Sequence, residues 1–257
     1  MSYFYGEQTR LEIEEHIKKN SVVILPVGTT EEHGMHLPVE TDAMIARYFG
    51  DKIGEACEKA GIPVLVLQPI VYGFSMGVVR HWPGCPNVDV KVLTNYIQEI
   101  TESLVAEGFT KIVFLDCHGN HDCVLRMVMR IVADQHNVFT MTLSPGALAD
   151  KVYQAKKRDP EGDIHGVEYE TSMMLHIRPD LVHTELYTNV DAVRCNSPLR
   201  GPVSTWGLQQ TKTGLFGDPT YATAELGKEM ADEAVKNAVT YIRAYREHTE
   251  HSDPIRK

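Results

Sequence analysis

The sequence lacks the features of a membrane or secreted protein. No apolar run approaches the roughly 20 residues that a membrane-spanning helix requires, and segment 1–10 is polar and aromatic, unlike the apolar core of a signal peptide. The 5 cysteines are odd in number and include no CxxC pair, which disfavours a disulfide framework and a structural zinc knuckle. The composition therefore predicts a cytoplasmic protein with no membrane partner.

Positive charge is also scarce. The sequence has 25 Lys and Arg residues against 35 Asp and Glu residues, and its formal net charge is -10. Nucleic-acid binding requires clustered Lys and Arg that neutralise phosphates, but the only basic run is 156–158. We therefore expect no nucleic-acid partner.

Some signatures of other enzyme classes are missing. The sequence contains no GxGxxG or Walker lysine motif for nucleotides and no HExxH zinc motif. Cys117 lies beside His118, but no second partner for a cysteine nucleophile is identifiable, so a small buried thiol is the better interpretation. The sequence thus disfavours nucleotide folds that depend on those motifs and thermolysin-like proteases.

Short apolar runs alternate with helical patterns along the 257 residues. The runs are continuous and rich in β-branched residues, as in strands that are buried on both faces, whereas the helical patterns carry an apolar stripe. The predicted strands are 22–27, 64–67, 112–115 and 138–143, and the predicted helices are 42–60, 93–107, 123–135 and 222–246.

This alternation predicts an α/β protein with a mostly parallel sheet and helices on both faces, a layered α/β/α arrangement. The length suits one domain over 1–257. Segment 194–219 is rich in Gly and Pro and is predicted to cross the active-site face as a loop, and 248–257 is a polar tail. Ligands in such sheets bind at the carboxyl ends of the strands, so the functional residues are expected there.

The loop after the first strand carries Glu31 and His33, which are two residues apart and leave the same face of an extended backbone. Asp42 follows in the first turn of the next helix, in phase with the apolar residues Ala46 and Phe49. A carboxylate on that stripe needs a partner, because burying it alone costs roughly several kcal/mol. The alternative is a helix-terminal acid that interacts only with the helix dipole.

A second acid lies on an apolar stripe in the helix that opens within 165–172. Glu170 is in phase with Met173, Met174 and Ile177, whereas Glu168 is not. We therefore expect Glu170 to point inward and Glu168 to point away. The alternative for Glu170 is a buried ion pair or a helix cap.

His118 directly follows the third strand, at the sheet edge that also receives the first loop. Histidines and carboxylates that converge there suit a borderline divalent ion such as Zn²⁺ or Mn²⁺. Two ions would be held if Asp42 bridged them, and such a pair lowers the pKa of water and polarises a carbonyl. Whether Asn120 or His121 contributes to the metal site is left open.

Five ordered motifs resemble the creatininase (creatinine amidohydrolase) family over nearly the whole chain. Segment 25–42 is similar to LPxGxxEQHGxHLPxxTD, with Glu32 in place of the glutamine. The remaining four matches are 82–85 with the FPGT turn, 118–119 with the NGHGGN loop, 165–172 with the HAGxxETS helix and 214–225 with GVxGDPxxATAEKG.

This resemblance implies a creatininase-like α/β/α fold and two divalent ions, Zn and/or Mn, that activate water to open a C–N bond. The implied metal ligands are Glu31, His33, bridging Asp42 and His118. Asn120 stands where creatininase has a further acid, so Glu170 becomes the candidate for the open position and a second catalytic residue. His165 is the implied general acid/base. The family also implies a homo-oligomer, by analogy a hexamer.

The departures from the family pattern surround the pocket. Gly162 replaces a tryptophan that helps to enclose creatinine, and 116–117, 120–121 and 75–82 also differ from the common pattern. Hydrolysis of a small cyclic amide or formamide is therefore the preferred function. The alternatives are a metal-dependent hydrolase of a peptide or lactone, and a metal-stabilised binding protein without catalysis.

Overall fold

The computed structural model describes residues 2–159, 165–189 and 211–248. The strands are β1 (Val22–Val27), β2 (Val64–Val66), β3 (Ile112–Asp116) and β4 (Met141–Leu143). The helices are α1 (Arg10–Lys18), α2 (Thr41–Lys59), α3 (Val90–Glu107), α4 (Asp122–His136), α5 (Pro145–Lys156), α6 (Glu168–Ile177) and α7 (Ala224–Glu247).

The four strands form one parallel sheet in the order β2-β1-β3-β4. In the central pair, Val23 of β1 is in register with Ile112 of β3, and Val27 with Asp116. All six residues of β1 are buried, as expected for a strand covered on both sides. The predicted α/β fold with a mostly parallel sheet is thus confirmed.

The two faces of the sheet pack against different helices. Val22 and Ile24 belong to a core that includes residues of α2, α5, α6 and α7, whereas Val23 and Leu25 belong to a core with α3 and α4. The alternation of side chains along β1 therefore feeds two separate apolar layers. This arrangement places the carboxyl ends of β1 and β3 side by side at one edge.

Several element boundaries differ from the sequence predictions. The predicted strand 138–143 is regular only from Met141, and α3 begins three residues early because the side chain of Asp89 caps it by accepting from the Lys91 N–H. Helices α1 and α5 were not predicted. The first has a capping box between Thr9 and Glu12, and the second begins at Pro145.

Parts of two predicted segments, 194–210 and 249–257, lie outside the described residues, and the single domain over 1–257 stays a prediction. Among the helices that the structure describes, none has both the length and the apolar content needed to cross a bilayer.

Candidate metal centre

The loop after β1 places two buried side chains at the sheet edge, Glu31 and His33. The His33 Nδ1 donates to the Glu31 carbonyl oxygen at 3.0 Å, and because a carbonyl oxygen only accepts, Nδ1 carries the hydrogen. The free Nε2 atom lies 3.3 Å from Asp42 Oδ1 and 3.7 Å from Glu170 Oε1. The local backbone therefore fixes the tautomer that a metal ligand needs.

Asp42 lies between the two histidines, as its phase in α2 predicts. It is 1% exposed, and its Oδ2 atom lies 2.8 Å from His118 Nδ1 while Oδ1 faces His33. Neither oxygen has a hydrogen-bond partner of acceptable geometry among the described residues. The helix reaches this position because Gly28 has no side chain: a Cβ there would lie 2.7 Å from the Asp42 carbonyl oxygen.

His118 follows β3 and is buried at the same edge. Its backbone N–H donates to Asp116 Oδ1 at 3.2 Å, and its Nδ1 atom lies 3.7 Å from Glu31 Oε1. The ends of β1 and β3 thus bring Glu31, Asp42 and His118 together, as the parallel topology predicts.

The segment before α6 completes the cluster. His165 Nε2 donates to the Glu32 carbonyl oxygen at 2.7 Å, and its Nδ1 atom lies 3.5 Å from Glu31 Oε1. The carboxylate of Glu170 accepts the Gly166 N–H at 2.6 Å through Oε2, which leaves Oε1 toward His33.

Three overlapping groups of these side chains could hold a metal ion. In each group the potential ligand atoms lie within 4.8 Å of one another. Asp42 belongs to two groups, and several of the buried atoms, including Glu31 Oε2 and His33 Nε2, have no hydrogen-bond partner among the described residues. Unpaired buried polar atoms of these types fit divalent metals. The groups are Glu31 with Asp42 and His118, His33 with Asp42 and Glu170, and Glu31 with His33 and His165.

Without a metal, the carboxylates hold protons on the histidines. Burial lowers the pKa of His118, but the charges of Glu31 and Asp42 outweigh burial and raise that pKa to about 9. Burial also lowers the pKa of His33, and the Asp42 and Glu170 carboxylates raise it well above its usual value. Burial raises the pKa of Asp42, but the His33 and His118 charges lower it overall. A metal ion that binds here must therefore displace protons.

The predicted orientation of Glu168 is wrong. Its side chain is fully buried, and its carboxylate accepts the backbone N–H groups of Arg158 and Asp159 at 2.9–3.0 Å. The helix begins at Glu168, so this first residue turns toward the preceding chain rather than following the stripe of later turns. Glu170 is partly exposed at the cluster.

His121 is occupied elsewhere, which bears on the question left open by the sequence. Its Nε2 atom accepts the Phe74 N–H at 3.1 Å, and burial lowers its pKa to about 3. It belongs to none of the three metal-capable groups. The Asn120 side-chain amide lies 3.4 Å from His118 Nε2.

A cavity of about 230 Å³ opens onto the cluster. The apolar residues of its lining, which come from 76–79, were not predicted from the sequence, although the apolar letters of that loop were the available signal. Residues 73–77 also carry the letters GxSxG of a serine hydrolase. Ser75 is fully buried, its Oγ atom has no described hydrogen-bond partner, and no helix follows before Val90, so the geometry of a nucleophile elbow is missing there. The cavity is lined by Glu31, Met76, Val78, Val79, His118, Gly119, Asn120, His165 and Glu170.

The fold and the cluster together define an α/β protein that gathers carboxylates and histidines able to hold divalent metals at the carboxyl edge of a parallel sheet. The sequence model of the creatininase family, described as creatinine amidohydrolase, matches residues 6–242. The chain therefore belongs to the creatininase family.

Named relatives share one broad class, that of hydrolases. A mycofactocin precursor peptide peptidase of Mycolicibacterium smegmatis is 28% identical over 229 residues, which cover 88% of this chain and 85% of the relative. A creatinine amidohydrolase of Pseudomonas putida is 27% identical over 267 residues, covering 94% and 96%. A crystal structure of creatininase superposes with a TM-score of 0.80 at 26% identity, covering 96% of this chain and 99% of that one.

The descriptions of two further similar structures name metals. One is described as creatininase Mn and the other as a creatininase variant of Zn–Zn type. Each has a TM-score of 0.80 and 25% identity, and covers 96% of this chain and 100% of the other. Manganese and zinc are therefore the metals known from the names of its structural neighbours.

Proposed function

We propose that the chain is a metal-dependent amidohydrolase that opens the C–N bond of a small cyclic amide or formamide. The observation that carries the proposal is the position of Asp42, whose two buried oxygens face His33 and His118 separately. One oxygen for each of two ligand groups is the arrangement expected of a bridging carboxylate. Glu31 and His118 complete one group, and His33 and Glu170 complete the other.

Two divalent ions bound there would supply a Lewis acid for the amide carbonyl and would lower the pKa of a water molecule. In the overall reaction the water oxygen bonds to the carbonyl carbon, the C–N bond breaks and the nitrogen leaves with an added proton. His165 is the proposed proton carrier. Its Nε2 atom holds its hydrogen against the Glu32 carbonyl, which leaves Nδ1 as the nitrogen that takes and returns a proton.

Glu170 is the second proposed catalytic residue. It lines the cavity and is the one partly exposed acid of the two bridged groups, whereas Glu31 and Asp42 are buried. Its Oε2 atom is fixed by the Gly166 N–H. That contact leaves Oε1 free to serve as a ligand beside the position where substrate enters.

Metal content and hydrolysis test this proposal together. We expect about two ions per chain after reconstitution with Zn²⁺ or Mn²⁺, measured by elemental analysis, and hydrolysis of at least one member of a lactam and formamide panel. Asp42→Asn should reduce both the bound metal and the rate by at least about tenfold. A chain that binds no divalent metal and hydrolyses no amide after metal addition would contradict the proposal.

His165 needs its own test because its Nδ1 atom is also within reach of Glu31 and His33. If His165 carries the proton, His165→Ala keeps the full metal content and loses about 100-fold or more in kcat. Loss of metal from this variant would make it a ligand instead. An unchanged rate with full metal would remove His165 from the proton-transfer role. The binding-protein alternative instead predicts no hydrolysis by the parent chain, intact binding in His165→Ala and unfolding of Asp42→Ala.

A peptide substrate is the second candidate, because four similar curated proteins are named mycofactocin precursor peptide peptidase. The same metal-loaded protein, assayed on short peptides, lactones and small amides, separates these functions. The cytoplasmic location and the homo-oligomer, a hexamer by family analogy, stay predictions.

A further inference from the structure

The residues that line the cavity include two chemically different groups. One group is the carboxylates and histidines of the candidate metal centre, and the other is Met76, Val78 and Val79, which we call the apolar wall. Val78 and Val79 are 4% and 2% exposed and pack with Phe216 in a small core of their own. The apolar wall is therefore a packed surface rather than a set of loose loop side chains.

Hydrogen bonds hold the apolar wall in place. The N–H groups of Val79 and Arg80 both donate to the Met76 carbonyl oxygen, at 3.1 and 3.2 Å. The Cys85 thiol donates to the Val79 carbonyl oxygen at 3.3 Å, and the same sulfur accepts the Glu32 N–H at 3.2 Å. Glu32 lies between Glu31 and His33 in the chain, so the apolar wall is tied directly to the metal-binding loop.

The described lining of the cavity contains no Lys or Arg side chain. Arg80 belongs to the adjacent turn, but its guanidinium lies over the Phe74 ring, 5.8 Å from the ring centroid. Against the described lining, a carboxylate on the substrate would therefore meet the apolar wall without a Lys or Arg partner, and burying it there would be costly. A compact alkyl group would instead replace water against Val78 and Val79.

We propose that the apolar wall selects uncharged amides that carry a compact aliphatic group beside the scissile bond and rejects substrates with a carboxylate at that place. This inference rests on the proposed amidohydrolase function and narrows its substrate class. The small volume of the cavity, about 230 Å³, favours a group the size of isopropyl or isobutyl over a large ring, since drug-sized ligands occupy pockets of roughly 300 Å³ or more.

Pairs of near-isosteric substrates test the selection. N-isobutylformamide is matched with N-formylglycine, and 5-isopropyl-2-pyrrolidinone with 5-oxoproline, so that an isopropyl group replaces a carboxylate of similar shape. With zinc-loaded full-length protein, we expect kcat/KM for the alkyl member to exceed that for the carboxylate member by at least about tenfold. Equal or higher kcat/KM for the carboxylate members would overturn the inference.

Variants connect the preference to the apolar wall. Val79→Thr and Val78→Thr keep the side-chain shape but add a hydroxyl, and each should lower the alkyl-to-carboxylate ratio by about threefold or more. Val132→Thr is the matched control, because Val132 is equally buried but belongs to the core around α4. It should leave the ratio unchanged. A ratio that stays constant in both wall variants would also contradict the inference.

Equilibrium binding separates this inference from the proposed function. Isovalerohydroxamate and malonate monohydroxamate form another isobutyl and carboxymethyl pair, and their affinities are measured by calorimetry on zinc-loaded protein. Tighter binding of isovalerohydroxamate by about tenfold, lost in Val79→Thr, supports the inference even if no amide is hydrolysed, in which case only the proposed function fails. Hydrolysis without any preference in rate or binding rejects the inference and retains the function.

Discussion

Two glutamates of α6 show how position in a helix turn decides the use of a carboxylate. Glu168 points back to the chain before the helix and accepts two backbone N–H groups there. Glu170, two residues later, lies 3.7 Å from His33 at the candidate metal centre. A glutamate therefore stabilises the fold at position 168, whereas a glutamate at position 170 is available to the candidate metal centre.

The two positions form a matched pair for mutation. Glu168→Gln replaces one of two acceptor oxygens by an N–H donor group, so we expect the free energy of unfolding to fall by about 2 kcal/mol while metal content stays the same. Glu170→Gln should do the reverse, lowering bound metal with a much smaller effect on stability. Urea unfolding and elemental analysis of both variants provide the measurements, and parallel behaviour of the two would contradict this division.

At the scale of elements, the ends of parallel strands made the site predictable. Glu31 and His33 follow β1, and His118 follows β3, so adjacency of these strands brings the three residues together. Asp42 could be placed because the phase of a long helix is fixed by several apolar residues after it. Glu168 could not, because the first residue of a short helix has no preceding turn to define its direction.

The apolar wall also could not be predicted from the sequence pattern. Val78 and Val79 lie in a non-repetitive turn, where apolar side chains have neither the period of a helix nor that of a strand. Their burial depends on Phe216, which is distant in the chain. Contacts of this kind are set by tertiary packing alone.

The junction of β1 and α2 gives a prediction at this scale. A Cβ on Gly28 would lie 2.7–2.8 Å from backbone atoms of Asp42 and Ala43, and backbone atoms cannot rotate away. Gly28→Ala should therefore displace the start of α2, lower the free energy of unfolding by about 2 kcal/mol and weaken metal binding. Gly6→Ala is the control, because nothing lies within 4 Å of its added Cβ, and calorimetric metal titration with thermal unfolding compares the two.

For the whole molecule, buried histidines respond to pH in two opposite ways. Burial lowers the pKa of His36 to about 4 and that of His121 to about 3, so their stabilising contribution is present above about pH 6.5 and is lost as the pH falls below it. Burial also lowers the pKa of His118, but nearby carboxylates raise it to about 9, and they raise that of His33 as well. The contribution of His118 and His33 to the stability of the folded state is present below about pH 6.5 and is lost as the pH rises through about 9.

These opposing slopes, together with Asp116, predict a stability maximum for the metal-free protein at about pH 6. Burial raises the pKa of Asp116 to about 7, so this group gains stability as the pH falls. That gain offsets part of the stability lost at low pH through His36 and His121, but not all of it. Divalent metal should change the pH dependence of stability above about pH 7. Ions bind deprotonated His33 and His118 and so replace the protons that stabilise the metal-free cluster. We expect the urea midpoint of the metal-free protein to fall from pH 7 to pH 9, and that of zinc-loaded protein to hold or rise. Superimposable pH profiles with and without zinc would show that the cluster binds no ion through these histidines.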